Sequence, residues 1–302
     1  MLEEPSPENV CAIVVTYFPD SMFGERLARI RNQTAKTIVV DNSGDSNALS
    51  LAKNDTDIEI ISNEENLGIG TALNQGMSRA TQLGYKWAIT FDQDSWVNPN
   101  LLSALINIYK QQPQLEAVGI IGCNYEDANI HASALKSSTE GPAFLETLTV
   151  ITSGSLLSIA IFSKAGPFRS DFFIDFVDYE YCLRLRRWGY KVIISRAPLM
   201  VHALGAATTI NLGGRRAKTS LVLTNRTPLR RYYMTRNALL VVRRYFLFAP
   251  MWSLRTLATI VGFALVKIPF ETTDRAKKIR ATLRGIVDGV RGKTGKTSLR
   301  WL

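Results

Sequence analysis

Short apolar runs rich in β-branched residues alternate with segments of helical length in the first hundred residues. This alternation restricts the fold more than any other feature of the sequence. The runs cover residues 10–17, 37–40, 59–61 and 86–91. Alternating strands and helices are typical of a mainly parallel sheet. Because ligands of open α/β sheets bind at the carboxyl ends of the strands, Thr16, Asp41 and Asp92 are expected to converge on one crevice.

Periodic patterns predict further elements along the chain. Helical spacing covers residues 73–83 and 178–188, and the second of these stops at Gly189, a favourable left-handed end. Pro99 favours a helix start, so a helix is also expected over residues 100–111. Residues 117–123 and 148–161 are predicted to be strands or buried segments, with Gly154 breaking the second, and a strand is predicted at residues 191–194.

An Asp-Gln-Asp sequence directly follows the apolar run at residues 86–91. At the end of a strand, Asp92 and Asp94 can hold a divalent cation against a diphosphate, because hard oxygen ligands suit Mg²⁺ or Mn²⁺. Two acids with one spacer are also common in solvated turns. Taken alone, the motif therefore leaves a metal site and a polar turn both open.

Three other blocks accompany this motif: a strand ending in Thr16-Tyr17, Val-Val-Asp-Asn-Ser at residues 39–43, and Asn-x-Gly-x-x-x-Ala-x-Asn-x-Gly at residues 66–76. In this order the blocks resemble glycosyltransferase family 2, inverting enzymes with the GT-A fold. The resemblance implies a Rossmann-like α/β domain with a mainly parallel sheet, a nucleotide-sugar donor and a divalent metal. It implies metal ligation by Asp92 and Asp94. It implies donor contacts by Thr16, Tyr17, Asp41, Asn66, Gly68, Asn74 and Asp92.

The second half carries an acidic motif, Phe-Ile-Asp-Phe-Val-Asp-Tyr-Glu-Tyr-Cys-Leu-Arg at residues 173–184. It is similar to the acceptor-side motif of the family, which implies that Asp178 is the general base and Glu180 the following acid. Val177 stands where an acid is commoner, and Asp175 is the alternative carboxylate. A carboxylate suits this step because it takes the proton of the attacking hydroxyl. An acidic helix start that complements the helix dipole is the structural alternative.

The chain has two histidines, His131 and His202. In the family, a histidine about this far beyond the acidic motif can join the metal shell, so His202 is expected to be a ligand or a diphosphate contact. A histidine with a purely structural role is the alternative.

The block Arg-Arg-Tyr-Tyr-Met-Thr-Arg-Asn at residues 230–237 resembles the bacterial rhamnosyltransferase branch, and so does the Asp-Gln-Asp variant. Guanidinium groups suit diphosphates, which makes Arg236 a candidate donor contact. A basic turn ahead of a membrane-lying helix is the alternative.

A basic and apolar C-terminal extension is expected over residues 226–302, after a catalytic domain at residues 1–225. The uncharged stretch between Arg255 and Lys267 has only 11 residues, whereas a spanning helix needs roughly 20. Residues 271–302 then carry nine Lys or Arg against three acids. This combination favours helices that lie in the headgroup region of an anionic membrane and disfavours a nucleic-acid partner. A helical subdomain packed against protein is the alternative.

The expected location is the cytoplasm, peripherally on the inner face of the cell membrane. Cys11, Cys123 and Cys182 are odd in number and widely separated, as in a reduced compartment. The acidic, proline-bearing first nine residues do not resemble a signal peptide.

Together, these features predict a metal-dependent inverting hexosyltransferase. The resemblance to the rhamnosyltransferase branch implies transfer of L-rhamnose from dTDP-L-rhamnose to a lipid-linked or polysaccharide acceptor in cell-surface glycan synthesis, of which the O-antigen of lipopolysaccharide is an example. Another donor such as UDP-galactofuranose or a UDP-hexose, a sugar-nucleotide nucleotidyltransferase and a binding module without turnover are the alternatives. The sequence leaves the oligomeric state open.

Overall fold

A computed structural model of the chain describes residues 3–44, 55–128, 132–133, 135, 141–202, 207–211, 220–224, 226–271 and 273–298. The chain divides into two compact units. The first comprises Met1–Ser170 and Val177–His202, and the second comprises Asp171–Phe176 and Ala203–Leu302. The sequence analysis placed the boundary at residue 225, whereas the structural division falls after His202.

Among the described residues, the first unit is built on one ten-stranded sheet. Its strands are β1 (Val10–Thr16), β2 (Lys36–Asp41), β3 (Ile58–Ser62), β4 (Trp87–Asp92), β5 (Trp96–Val97), β6 (Val118–Asp127), β7 (Ala132–Ser133), β8 (Phe144–Glu146), β9 (Ser155–Ser158) and β10 (Lys191–His202). Their order is β3-β2-β1-β4-β9-β6-β10-β5, with β7 beside β6 and β8 beside β10. The first four strands are mutually parallel, and so are β6 and β10. The predicted α/β class with a mainly parallel sheet is confirmed.

In the part of the first unit that the structure describes, five α-helices connect these strands. They are α1 (Phe23–Arg31), α2 (Ile69–Gln82), α3 (Leu101–Lys110), α4 (Ile159–Ala165) and α5 (Val177–Arg187). The predicted helices at residues 73–83, 100–111 and 178–188 correspond to α2, α3 and α5. Within residues 148–161, predicted to be a strand or a buried segment broken at Gly154, the structure has a strand at Ser155–Ser158, directly after this glycine. The Ser158 hydroxyl accepts a hydrogen bond from the Ile161 N–H and starts α4 there.

The core lies between the sheet and these helices, and β1 is buried along its whole length. This burial suits a central parallel strand that is covered on both faces. Helix α2 approaches β1 closely at Gly76. A Cβ at this position would lie 2.4 Å from Ile13 Cγ2, so the close packing depends on glycine.

The second unit is mostly helical. Its elements are the antiparallel pair β11 (Ala207–Asn211) and β12 (Ser220–Thr224), then α6 (Pro228–Tyr245), α7 (Pro250–Gly262), a π-helical turn (Phe263–Lys267), α8 (Ile268–Phe270) and α9 (Arg275–Val290). Among the helices of the described residues, none is long and apolar enough to cross a bilayer.

Helix α9 packs on α6 through its small residues. A Cβ on Gly285 would lie 2.8 Å from the Tyr232 carbonyl oxygen, and one on Gly289 would lie 2.9 Å from Leu239 Cβ. The larger apolar side chains of α9 point to solvent instead. These exposed side chains are Ile279, Leu283, Val287 and Val290.

Candidate active site

The carboxyl ends of β1, β2 and β4 meet at one edge of the sheet. Thr16 is paired with Asp41 across β1 and β2, and Val15 is paired with Asp92 across β1 and β4. The Thr16 and Ser43 hydroxyls each donate to Asp41 Oδ1, at 2.7 Å. These contacts hold a buried carboxylate at the place where the sequence predicted the nucleotide pocket.

Gln93, the middle residue of the Asp-Gln-Asp motif, joins this edge to the end of β1. Its Oε1 accepts from the Tyr17 N–H at 2.6 Å, and its Nε2 donates to the Tyr17 carbonyl at 3.2 Å. The carbonyl of Gln93 accepts from Arg26 Nε at 2.7 Å. The rings of Tyr17 and Phe18 are at least half exposed and meet edge to face at 4.7 Å. Gln93 therefore fixes the backbone beside two accessible aromatic rings.

Strand pairing brings His202 to the Asp-Gln-Asp turn. Trp96 of β5 pairs with Val201 of β10, so the two residues just before β5 face the end of β10. His202 Nδ1 lies 3.2 Å from Asp94 Oδ1, and Nε2 lies 3.8 Å from Asp92 Oδ2. One ligand atom from each of the three residues lies within 4.8 Å of the others. His131 lies outside the described residues.

The electrostatics of this cluster suit a cation. Burial opposes charge on Asp94, but the hydrogen bond and charge of His202 hold the pKa of this carboxyl below its usual value. Burial also opposes charge on His202, yet Asp94, Asp92 and Asp127 raise the pKa of its imidazole. The raised pKa of a buried histidine records a strongly negative local field. Two carboxylates and one imidazole therefore fit a divalent metal ion.

Two serines that the sequence analysis missed support the cluster. Ser95 Oγ lies 3.3 Å from His202 Nδ1 and 2.6 Å from Ser153 Oγ. The Asp92 N–H donates to Ser153 Oγ at 3.2 Å, and both serines are fully buried. Ser95 directly follows the motif and could have been considered from the sequence. No sequence pattern marks Ser153, because only the insertion of β9 beside β4 brings it here.

The loop before α2 is folded against the end of β2. Asn66 Oδ1 accepts from the Gly68 N–H at 2.9 Å, and Asn42 Nδ2 donates to the Gly68 carbonyl at 3.4 Å. Gly68 has φ of 87°, a left-handed value that favours glycine. Asn74 bonds elsewhere, with both backbone groups of Phe168 and with Ser170 Oγ. Its predicted donor contact stays a prediction that these bonds do not favour.

The candidate base lies in the first turn of α5. Asp178 is half-buried, and its Oδ1 accepts from the Tyr179 N–H at 2.8 Å. Burial, Asp127 and Asp178 all raise the pKa of Tyr125, whose ring meets His202 edge-on at 5.9 Å. Asp178 is therefore within electrostatic reach of a tyrosine that contacts His202 of the Asp92, Asp94 and His202 cluster.

Glu180, the other predicted acid of α5, faces inward. It is buried and forms an ion pair with Arg184 at 2.7 Å, one helical turn further on. These contacts give Glu180 a structural environment, and Asp178 is more accessible than Glu180.

Within the second unit, Asp175 and Arg236 both make protein contacts. Asp175 Oδ1 lies 3.2 Å from Arg230 Nε. Arg236 is fully buried, and its nitrogens donate to the carbonyls of Gly295 and Phe172 and to Asn237 Oδ1. The diphosphate contact predicted for Arg236 is not favoured by these bonds.

Comparison with known proteins gives the class. The family model described as glycosyl transferase family 2 matches residues 11–172. The chain therefore belongs to glycosyltransferase family 2. Among its relatives is dTDP-rhamnosyl transferase RfbF of Shigella flexneri, which is 28% identical over 300 residues, covering 95% of this chain and 97% of that protein.

Similar solved structures show a GT-A fold. Residues 1–349 of S. aureus TarS give a TM-score of 0.54 at 14% identity, covering 93% of this chain and 81% of that one. Their complex with UDP-GlcNAc gives 0.52 at 15% identity, covering 94% and 92%. GalNAc-T7 with UDP, GalNAc and Mn²⁺ gives 0.59 at 9% identity, covering 95% and 57%.

Proposed function

We propose that the chain transfers L-rhamnose from dTDP-L-rhamnose, with inversion at the anomeric carbon, to a lipid-linked or polysaccharide acceptor. The reaction class rests on one observation: the Asp92, Asp94 and His202 cluster stands at the sheet edge that also carries the Thr16–Asp41 pair. The choice of sugar rests on the relationship with RfbF, which extends over 95% of this chain and so beyond the family-model region.

The donor side of the proposal uses the strand ends. Thr16, Tyr17, Asp41, Asn66 and Gly68 line the nucleoside pocket. Asp92, Asp94 and His202 hold Mg²⁺ or Mn²⁺. The ion supplies positive charge where the leaving diphosphate develops negative charge.

On the acceptor side, Asp178 takes the proton from the acceptor hydroxyl as its oxygen attacks the anomeric carbon. The glycosidic bond forms on the face opposite the departing diphosphate, which inverts the configuration. Asp175 is the less suitable base because it is paired with Arg230. Glu180, Asn74 and Arg236 contribute through protein contacts in this proposal.

A donor panel tests the reaction. Purified full-length protein is incubated with MnCl₂ or MgCl₂ and with dTDP-L-rhamnose, UDP-galactofuranose or UDP-glucose, and free nucleoside diphosphate is measured. We expect each donor to be hydrolysed slowly in the absence of an acceptor, and dTDP-L-rhamnose to be hydrolysed faster than the other two. Faster hydrolysis of another donor changes the assigned sugar. Pyrophosphate release from a nucleoside triphosphate and a sugar phosphate identifies a nucleotidyltransferase, and binding without turnover identifies a binding module.

Asp178→Asn tests the base. The amide keeps the shape of the side chain but cannot take the proton, so transfer is expected to fall roughly 10²- to 10⁴-fold. The dissociation constant of the donor, measured by calorimetry with metal present, is expected to stay unchanged. Asp175→Asn is the matched control. Near-normal transfer by Asp178→Asn together with loss in Asp175→Asn would move the base to Asp175.

We also propose that the C-terminal extension lies on an anionic membrane surface at the inner face of the cell membrane. The exposed apolar side chains of α9 are flanked by exposed Lys277, Arg280, Arg284 and Arg291. Helix α7 and the residues around it add exposed Leu247, Met251, Leu254, Val261 and Leu265. Apolar side chains bordered by cations suit the headgroup region. Lys278 does not contribute, because it is buried and paired with Glu271 at 2.5 Å.

A further inference from the structure

The segment Asp171–Phe176, which leads into α5, has an unusual backbone. Phe173, Asp175 and Phe176 have φ values of 66°, 62° and 66°. Residues with a side chain rarely adopt this left-handed region, and such a conformation persists only where the surrounding structure holds it. Three examples within four residues therefore require strong local support.

The support comes from Asn237 on α6. Its side-chain Nδ2 lies 3.0 Å from the Phe172 carbonyl oxygen, 2.8 Å from that of Ile174 and 3.0 Å from that of Asp175. Asn237 is fully buried. One amide group thus contacts three backbone carbonyls of the strained segment.

Arg236 fixes which way this amide points. Its Nε–H donates to Asn237 Oδ1 at 2.9 Å. A guanidinium group has no acceptor, so the atom that it contacts must be the oxygen, and the nitrogen faces the carbonyls. Arg236 Nη2 also lies 3.1 Å from the Phe172 carbonyl oxygen. The Arg-Asn pair of the 230–237 block therefore acts as one clamp on the segment.

We propose that Asn237 is a positioning residue for the transfer reaction and acts through Asp178. Val177 and Asp178 follow Phe176 directly in the chain. The carbonyls that Asn237 holds consequently define the backbone from which the first turn of α5 starts. A general base must lie within hydrogen-bond distance of the proton that it takes, and a displacement of about 1 Å can cost about a hundredfold in rate. This inference rests on the proposed role of Asp178.

Asn237→Ala tests the inference in the full-length protein. The kcat for hydrolysis of dTDP-L-rhamnose, in which water takes the place of the acceptor hydroxyl, is expected to fall about tenfold or more, because the base loses its placement. The donor KM is expected to stay within about twofold, because the variant leaves the donor side chains in place. Val241→Ala is the matched control. Val241 is buried one turn further along α6 and has no side-chain hydrogen-bonding group, so this variant reports general destabilisation of the helix.

A double variant separates positioning from general damage. In the Asp178→Asn background, Asn237→Ala is expected to slow residual turnover less than about twofold, because residues that act as a unit are not additive. The positioning role alone is overturned if Asn237→Ala slows turnover as much in the Asp178→Asn background as in the wild type. It is also overturned if the kcat of Asn237→Ala is no lower than that of Val241→Ala. Near-normal turnover by Asp178→Asn itself overturns the proposed base, and the positioning role falls with it.

Thermal unfolding of each variant shows whether it is folded at the assay temperature. If Asn237→Ala is unfolded at that temperature, Asn237→Ser replaces it in every comparison, because the serine hydroxyl can still donate a hydrogen bond to one carbonyl. For Asn237→Ser we expect a kcat that is lower than the kcat of the wild type but higher than the value predicted for Asn237→Ala. A serine variant with the kcat of the wild type overturns the inference.

Discussion

His202 makes the proposed metal site sensitive to pH. Its pKa is raised above the ordinary value of 6.5 by Asp94, Asp92 and Asp127, against the effect of burial. Without metal, the charged imidazole stabilises the fold at acidic pH, and this contribution is lost as pH rises through the raised pKa. A metal ion needs the neutral imidazole, so the proton and the metal compete.

We therefore expect the Mn²⁺ affinity to fall about tenfold for each pH unit below the pKa of His202. Isothermal titration of the full-length protein between about pH 5.5 and 8.5 measures this slope. A tenfold change per pH unit corresponds to the release of one proton when the metal binds. In His202→Gln the affinity is expected to be lower and the slope to be lost. A variant that binds Mn²⁺ with the same affinity and slope as the wild type would remove His202 from the site.

Individual side chains were predicted well where strand ends decided their place. Thr16, Asp41 and Asp92 converge because parallel strands end at one edge, which an apolar run followed by a polar residue already indicates. Asn74 and Arg236 could not be placed in this way. Amide and guanidinium groups bond backbone carbonyls as readily as they bond phosphates, and the motif does not say which partner they face.

Among the elements, the contact between α2 and β1 gives a stability prediction. In Gly76→Ala the new Cβ would clash with the branched side chain of Ile13, so the free energy of unfolding is expected to fall by about 1–3 kcal/mol. Gly24→Ala on α1 is the matched control. A Cβ there meets nothing within 4 Å, and alanine favours a helix by up to about 1 kcal/mol. Urea unfolding measures both, and equal stabilities would contradict the close packing.

The long periodic elements could be predicted from the sequence, whereas the short ones could not. Helices α2, α3 and α5 each repeat an apolar face over several turns. The two-residue strand β5 is too short to show any period, yet its pairing with β10 places the Asp-Gln-Asp turn beside His202. Strand β10 was predicted only at residues 191–194, because Pro198 interrupts the pattern. The structure continues the strand through register shifts on either side of Pro198.

At the scale of the whole molecule, a single boundary along the sequence could not describe the two units. The boundary expected at residue 225 lies just before the start of α6 at Pro228. The segment Asp171–Phe176 belongs to the second unit although the chain returns to the first at Val177. This segment is assigned to the second unit because Asn237 and Arg236 contact it, and such contacts cannot be inferred from the amino-acid composition.

The basic charge of the chain gives a prediction for membrane binding. The formal net charge is +10, so binding to anionic vesicles is expected to weaken as salt is raised from about 0.01 to 1 M. Leu283→Gln combined with Val287→Gln is expected to lower the sedimented fraction further, since both side chains are exposed on α9. Met22→Gln with Leu83→Gln, which changes exposed apolar residues of the first unit, is the control.

Equal sedimentation of both double variants and the wild type would contradict the membrane proposal. Full-length variants are preferable to truncation after Asn237, because truncation removes α9 from the buried residues Tyr232 and Tyr233. Loss of sedimentation would then be indistinguishable from misfolding.

The place of β9 between β4 and β6 has a consequence for how the protein is made. In a nascent chain that leaves the ribosome, β4 can pair with β1 on one side, but its other edge can be paired only after residues 155–158 have emerged. Ser95 and His202 are 107 positions apart, so the histidine reaches the carboxylates only after the last strand of the sheet has emerged. Pairings this distant close late in folding. A chain that ends before residue 202 therefore lacks the third ligand of the proposed metal site.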